Sequence, residues 1–156
     1  MAAQMQISSL VSDWAAGRTT LKEVEGYSDD EVNAVAQIGY FLLMQGKNKE
    51  ARTLFEGLIA LDPKNDYYYR ALGVIFQKLG DHDRAAKQFG YAIRVNPEHP
   101  NAYVNRAEVH LALGQYNEAD QDLKDALSHM SPRDQQLSRK AWALRKAVMA
   151  KQGLSL

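Results

Sequence analysis

A chain of 156 residues, 46% of them hydrophobic, is long enough and apolar enough to bury one sizeable core. Its nineteen basic and nineteen acidic residues cancel, which argues against nucleic acid or an anionic membrane as the main partner. The absence of cysteine excludes disulfides and thiolate metal sites, and no stretch reaches the ~18 apolar residues that span a bilayer. The N-terminus also lacks the charged and apolar regions of a signal peptide, so we expect a soluble protein that stays where it is made.

The first predicted element is an amphipathic helix near the N-terminus, which Gly17 is expected to end. Its apolar stripe has two interpretations: it folds back as a cap on the next helix pair, or it pairs with a second copy of the chain. Residues 18–27 are then expected to be a linker that carries a capping box from Thr20 to Glu23. The stripe, at i, i+3, i+4 and i+7, consists of Ile7, Leu10, Val11 and Trp14.

A 34-residue period follows this segment and determines the expected architecture. Several series of glycine, small and aromatic or leucine residues keep the same step. They are Gly46, Gly80 and Gly114; Ala51, Ala85 and Ala119; Phe55, Phe89 and Leu123; and Gly39, Gly73 and Ala107. A period of about 34 residues is typical of the tetratricopeptide repeat, in which each unit is a pair of antiparallel helices.

The period predicts three helix pairs, at 31–45 and 48–61, 66–79 and 82–95, and 100–113 and 116–129. Ser28 to Glu31 has the form of a capping box for the first of these helices. Ser131 before Pro132 has the form of an N-cap, which predicts a seventh helix to about residue 151. The apolar side of that helix would consist of Ala141, Leu144, Ala147 and Val148.

The expected fold is therefore all-α. It consists of three tetratricopeptide repeats in a right-handed superhelical array, flanked by an N-terminal amphipathic helix and a C-terminal capping helix. Residues 1–27 would form the N-terminal helix and linker, and residues 28–151 the repeat domain. Within that domain, the repeats are expected at about 32–65, 66–99 and 100–133, and the capping helix at 133–151.

Sequence motifs for catalysis are missing. The chain has no glycine-rich phosphate loop, no Gly-x-Ser-x-Gly and no His-Glu-x-x-His, and its four histidines are not spaced as zinc ligands are. His110 takes the repeat position of Leu42 and Phe76, so we expect it in the core. We predict no enzymatic activity, no cofactor and no metal; a metal or cofactor bound to the purified protein would revive the enzyme alternative.

A concave surface, lined by the first helix of each pair, is what this fold offers to a partner. The first repeat is apolar on that surface, which predicts a groove for another polypeptide. The alternative is that the N-terminal helix covers these residues. The positions expected to be exposed are Asn33, Ala36, Tyr40, Leu43 and Met44; Tyr67, Arg70, Val74, Gln77 and Lys78; and Asn101, Val104, Glu108, Leu111 and Ala112.

Three stretches carry a resemblance to a specific family. They are Gly-Arg-Thr-Thr-Leu-Lys-Glu-Val-Glu-Gly-Tyr-Ser-Asp-Asp-Glu at 17–31, Gly-Lys-Asn-Lys-Glu-Ala-Arg-Thr-Leu-Phe at 46–55 and Ala-Leu-Asp-Pro at 60–63. With the three repeats and the added terminal helices, they resemble the class II chaperones of bacterial type III secretion, which hold translocator proteins before export. The resemblance runs from about residue 14 to residue 126.

The resemblance implies a cytoplasmic bacterial chaperone that holds an extended apolar segment of a secreted, membrane-inserting client, without a cofactor. It implies pockets for a Pro-x-Leu-x-Pro-like pattern at Ala36, Tyr40, Leu43, Leu61 and Phe89, where Leu61 and Phe89 rest mainly on the resemblance. It also implies a homodimer through the N-terminal stripe. The runner-up is a general repeat adaptor in a multiprotein assembly. The peptide-binding residues predicted from both arguments are Ala36, Tyr40, Leu43, Met44, Leu61, Tyr67, Arg70, Val74, Phe89 and Glu108.

Overall fold

A computed structural model describes Ser9 and residues 12–154 of the chain. Within these residues the secondary structure is helical, with no strand, and residues 12–15 are helical as well. The chain divides into two compact units, Met1–Tyr68 (unit 1) and Tyr69–Leu156 (unit 2). The longer elements are α1 (Leu21–Glu25), α2 (Asp29–Met44), α3 (Asn48–Leu61), α4 (Asp66–Lys78), α5 (His82–Val95), α6 (Pro100–Ala112), α7 (Tyr116–His129) and α8 (Gln135–Lys151).

The predicted three helix pairs are confirmed: α2 with α3, α4 with α5, and α6 with α7. The second helix of each pair has the predicted bounds, and the first helices differ from the prediction by one or two residues at their ends. Each pair turns at a glycine in the left-handed region, with φ of +74° at Gly46, +76° at Gly80 and +73° at Gly114. A side chain is strained in that region, which explains why glycine recurs there.

Close packing within each pair explains the other repeated residues. A Cβ atom on Gly39 would lie 2.9 Å from the ring of Phe55, and one on Gly73 would lie 2.6 Å from the ring of Phe89. Both rings are fully buried. In the third repeat, Ala107 faces the smaller Leu123, so the pair keeps its packing with a methyl group in place of a hydrogen.

Capping boxes open two helices of unit 1. The carboxylate of Glu31 accepts a hydrogen bond from the Ser28 backbone N–H at 2.9 Å, and Ser28 Oγ accepts from the Glu31 N–H at 3.3 Å. The hydrogen bonds from the Ser28 backbone and hydroxyl hold the pKa of Glu31 below its usual range. The same arrangement of Thr20 and Glu23 opens α1, so the segment expected to be a linker contains a one-turn helix.

The start of α8 differs from the prediction. Ser131 does not cap this helix; its backbone N–H and hydroxyl instead donate to the Asp134 carboxylate at 2.8 and 2.7 Å. These bonds fold residues 131–134 into a turn, and the helix begins at Gln135 with Asp134 as N-cap. Ala141 and Val148 are fully buried as predicted, whereas Ala147 is exposed.

Unit 2 contains a polar cluster between α6 and α7. The Arg106 guanidinium donates two hydrogen bonds to the Asp122 carboxylate, at 2.8 and 2.6 Å. His110 Nδ1 lies 2.6 Å from Gln115 Oε1, and its Nε2 lies 3.6 Å from Asp122. Asp122 is buried, and Arg106 stands where the second repeat has the buried Leu72, so this cluster takes the place of apolar packing at that position. His110 is accordingly a half-buried structural residue.

Candidate peptide-binding site

Helix α2 presents an apolar face that the described residues of unit 1 leave uncovered. Its buried stripe consists of Val32, Ala36, Gly39 and Leu43. Tyr40 and Met44 lie one turn apart beside that stripe and are 52% and 66% exposed. An exposed tyrosine and methionine at i and i+4 form a continuous apolar surface along the helix. This Tyr40–Met44 face is the part of the predicted groove that the structure leaves open.

A second exposed surface lies elsewhere on the same helix. Ile38 and Phe41 are 55% and 61% exposed, and Val35 is also exposed. Because successive residues of a helix are turned by about 100°, Phe41 points well away from Tyr40. The sequence did not single out these three residues. The available signal was their place in the first repeat, where no helix pair precedes them.

Three residues expected to be exposed are buried. Ala36 and Leu43 belong to the buried stripe of α2, since they are seven residues apart and lie on the same side as Val32. Val104 is fully buried because Ala141 and Val148 of α8 belong to the same hydrophobic cluster. The expectation that these three side chains lie open in a groove is therefore wrong.

The two residues that rest mainly on the family resemblance are Leu61 in unit 1 and Phe89 in unit 2. Phe89 is fully buried against Gly73, as Phe55 is against Gly39, and has no surface to offer a ligand. Leu61, the last residue of α3, is half-buried and lines a cavity between α2 and α3. Leu61 therefore lines a different surface of unit 1, and Phe89 is a core residue of unit 2.

The remaining predicted residues are half-buried. Tyr67 stands edge-on to Phe55 at 5.9 Å between ring centroids in unit 1. In unit 2, Arg70 and Val74 lie one turn apart on α4. Glu108 accepts a hydrogen bond from Lys140 Nζ at 2.9 Å, so α8 already engages this carboxylate. A ligand that uses Glu108 has to share it with Lys140.

The α2–α3 cavity has a volume of about 370 Å³ and is lined mainly by apolar side chains of unit 1. Glu31 contributes the one acidic side chain of the lining. A Cβ atom on Gly57, in the wall of this cavity, would have no other atom within 4 Å. The lining residues are Tyr27, Glu31, Val32, Val35, Thr53, Leu54, Gly57, Leu58 and Leu61.

The described residues provide apolar surface that suits a peptide, and they do not group side chains as a metal site would. Within Ser9 and residues 12–154, no three histidine, aspartate or glutamate side chains are grouped as metal ligands would be. Over the same residues, each helix is too short or too polar to cross a bilayer. What the site provides is exposed apolar surface on a rigid helix, which is suited to binding another chain.

Comparison with known proteins supports both the repeat and the fold. A family model of the tetratricopeptide repeat matches residues 70–134. The Yersinia enterocolitica type III secretion chaperone SycD, solved with a peptide of the translocator YopD, is 24% identical with a TM-score of 0.76, over 80% of this chain and 97% of that one. The chain has the fold of the type III secretion translocator chaperones. The resemblance to that class is confirmed.

Two further relatives fit the same class. PcrH of Pseudomonas aeruginosa, solved with the chaperone binding region of PopD, is 27% identical with a TM-score of 0.77, over 81% of this chain and 97% of that one. Low calcium response locus protein H of Yersinia pestis is 24% identical over 107 residues, or 69% of this chain. That match spans 64% of the Yersinia pestis protein, less than two thirds of its length.

The predicted dimerisation stripe is described only at its last residue. Trp14 lies in the helical residues 12–15 and is 49% exposed, and Gly17 follows with φ of +71°, where the helix was expected to end. Ile7, Leu10 and Val11 lie outside the described residues. The choice between a cap and a dimer contact for this stripe stays a prediction.

Proposed function

We propose that this protein is a chaperone that holds an extended apolar segment of a translocator-type client before type III export, in the bacterial cytoplasm. The observation that carries the proposal is the exposed Tyr40–Met44 face on a helix whose other side is packed into the core. Relatives of the same fold, SycD and PcrH, have been solved with segments of the translocators YopD and PopD. The proteins that this chain resembles are chaperones, and binding alone accounts for the proposed role.

The proposed binding residues are those whose surface is free to contact a peptide. Tyr40 and Met44 of unit 1 supply apolar anchors. Tyr67, Arg70 and Val74 are proposed as further peptide contacts. Ala36 and Leu43 have a supporting role, because their buried side chains pack α2 into the core and so position Tyr40 and Met44. Leu61 lines another cavity, Phe89 lies in the core, and Glu108 is hydrogen-bonded to Lys140. These three residues are therefore not main contacts of the proposed peptide.

A rough energy sets the strength expected of this site. Burial of an apolar side chain contributes about 1.5–3 kcal/mol, so two or three anchors give about 3–9 kcal/mol, from which the cost of ordering the peptide takes back several kcal/mol. That range corresponds to affinities in the micromolar range or weaker for a short motif. Tight binding of a whole client therefore requires a longer wrapped segment.

The test is a pull-down from the native cytoplasm with wild-type protein and the double variant Tyr40→Glu, Met44→Glu. Two carboxylates on this face oppose burial of an apolar segment, yet both positions are exposed, so the helices should remain intact by circular dichroism. The matched control is Ile38→Glu, which places one carboxylate on an exposed apolar residue of the same helix, well away from both Tyr40 and Met44. We expect one abundant partner with long apolar segments, lost in the double variant and kept in the control.

A general adaptor of a multiprotein assembly is the second candidate. The separate exposed surface of Val35, Ile38 and Phe41 favours it, because an adaptor needs more than one binding face. Several soluble partners retained by both the double variant and wild type would favour the adaptor and contradict the chaperone proposal. Loss of those partners in Ile38→Glu would assign them to the second surface.

We also propose that the protein forms a homodimer. SycD has been solved in an alternative dimer, which supports association between two copies of this chain.

A further inference from the structure

The α2–α3 cavity is an apolar surface in a position that a helix covers elsewhere in the molecule. Val35 lines the cavity and Phe41 is exposed elsewhere on α2, and 68 residues later the same repeat positions hold Tyr103 and Val109. In unit 2 those two residues are buried, and α6 packs against α5, the helix that precedes it. Because a preceding helix packs against the equivalent helix of the third repeat, the exposed side of α2 is suited to packing against a helix.

Helix α8 carries an exposed aromatic residue between two basic ones, a feature that the proposed function does not use. Trp142 is 47% exposed, and Arg139 and Lys146 lie one turn on either side of it, both exposed. Neither makes an ion pair within the described part of the chain. The Arg145 guanidinium lies 5.5 Å from the Trp142 ring centroid and is itself bound to Asp120 at 2.8 Å, which orders the ring. We call Arg139, Trp142 and Lys146 the α8 patch.

Charge makes the cavity and the α8 patch complementary. Unit 1 contains ten acidic and six basic residues, whereas unit 2 contains nine acidic and thirteen basic ones. The acidic excess of unit 1 is present at the cavity itself, because Glu31 lines it and Asp30 is its neighbour in the exposed first turn of α2. Opposite charges around an apolar anchor orient two surfaces and speed their association.

We propose that the α2–α3 cavity of one copy binds the α8 patch of a second copy, with Trp142 inserted beside Gly57 and the basic residues near Asp30 and Glu31. A cavity of about 370 Å³ falls within the size range of pockets that enclose ring systems, and tryptophan is the most frequent anchor of protein interfaces. Association of the chain should therefore increase with protein concentration, and it should weaken as salt rises because charged residues flank the anchor. This inference does not depend on the client.

The test is analytical ultracentrifugation of the full chain without client, at increasing protein concentration and at low and high salt. The first variant is Trp142→Ala, and the second is Gly57→Leu, which fills the cavity from a helical position with open space around it. Each should weaken association about 30-fold, the effect of losing one strong anchor. Circular dichroism spectra like that of wild type would establish that both variants fold.

Mixing the two variants provides the decisive measurement. Each variant retains the surface that the other has lost, so an equimolar mixture should form a one-to-one dimer that does not grow further. Trp14→Ala is the control and should associate as wild type does. The proposal is overturned if wild type stays monomeric, if Trp142→Ala associates normally, or if Trp14→Ala alone abolishes association. If Gly57→Leu weakens association and Trp142→Ala does not, the cavity binds a segment other than the α8 patch, and the proposal is equally rejected.

Discussion

The first and third repeats have the same register but meet solvent differently. Phe41 of the first repeat is 61% exposed, whereas Val109, at the same position of the third, is fully buried. Val35 and Tyr103 differ in the same direction. Helix α6 of the third repeat contacts α5, α7 and α8, whereas the described contacts of α2 in unit 1 are with α3. The repeated residues fix how each pair packs internally, and the neighbouring helices decide which apolar side chains remain available for binding.

The largest expected difference in stability comes from placing glutamine at position 41 in one variant and at position 109 in another. Val109→Gln buries an amide without a partner in a packed region and should lower the free energy of unfolding by about 4 kcal/mol. Phe41→Gln should change it by less than about 0.5 kcal/mol, because the side chain already faces water. Urea unfolding of both variants measures the difference. Equal losses would mean that Phe41 is covered in the folded protein.

The buried ion pair is the second difference between the repeats. Asp122→Ala leaves the Arg106 guanidinium partly buried without its partner, which should cost about 3 kcal/mol of unfolding free energy. The matched control is the double variant Arg106→Leu, Asp122→Gln, which introduces the residues Leu72 and Gln88 that stand at these positions in the second repeat. It should recover most of the loss in the same urea titration. A double variant as unstable as Asp122→Ala would mean that the third repeat depends on the ion pair itself.

The smallest effect concerns the contact that all three repeats share. Gly73→Ala places a methyl group against the buried Phe89 ring and should cost about 2 kcal/mol. Adding Phe89→Leu reproduces the pair Ala107 and Leu123 of the third repeat and should restore part of the stability lost to this overpacking. Thermal unfolding of the single and double variants measures both changes in stability. If Gly73→Ala is neutral, the close approach of α4 and α5 does not explain the glycine.

The sequence was sufficient for much of the fold, because the information is local and repeated. The turn glycines require positive φ, the prolines at 63 and 97 follow the ends of α3 and α5, and the small residues meet aromatic rings at a fixed spacing. The start of α8 was missed because Ser131 has two possible partners. Its hydroxyl donates to the Asp134 carboxylate and accepts from the Arg133 backbone N–H, which closes a turn before the helix, and residue types alone do not distinguish this turn from an N-cap.

The candidate site was less predictable from the sequence, because exposure depends on neighbouring helices. The exposure of Tyr40 and Met44 was predicted correctly. Ala36, Leu43 and Val104 were also expected to be exposed, but they are buried. Seven-residue spacing placed Ala36 and Leu43 on one face but did not identify that face as the buried one. The burial of Val104 follows from the packing of α8, a tertiary contact with no local signal.

The central claim is that the Tyr40–Met44 face of α2 holds a client segment. A benzophenone amino acid placed at position 40, or at position 41 as the matched control, reports which face lies against a client when cells that carry the secretion system are illuminated. The account predicts one strong cross-link from position 40 to a translocator-type protein and little or none from position 41. A client cross-link from position 41 with none from position 40 would contradict it.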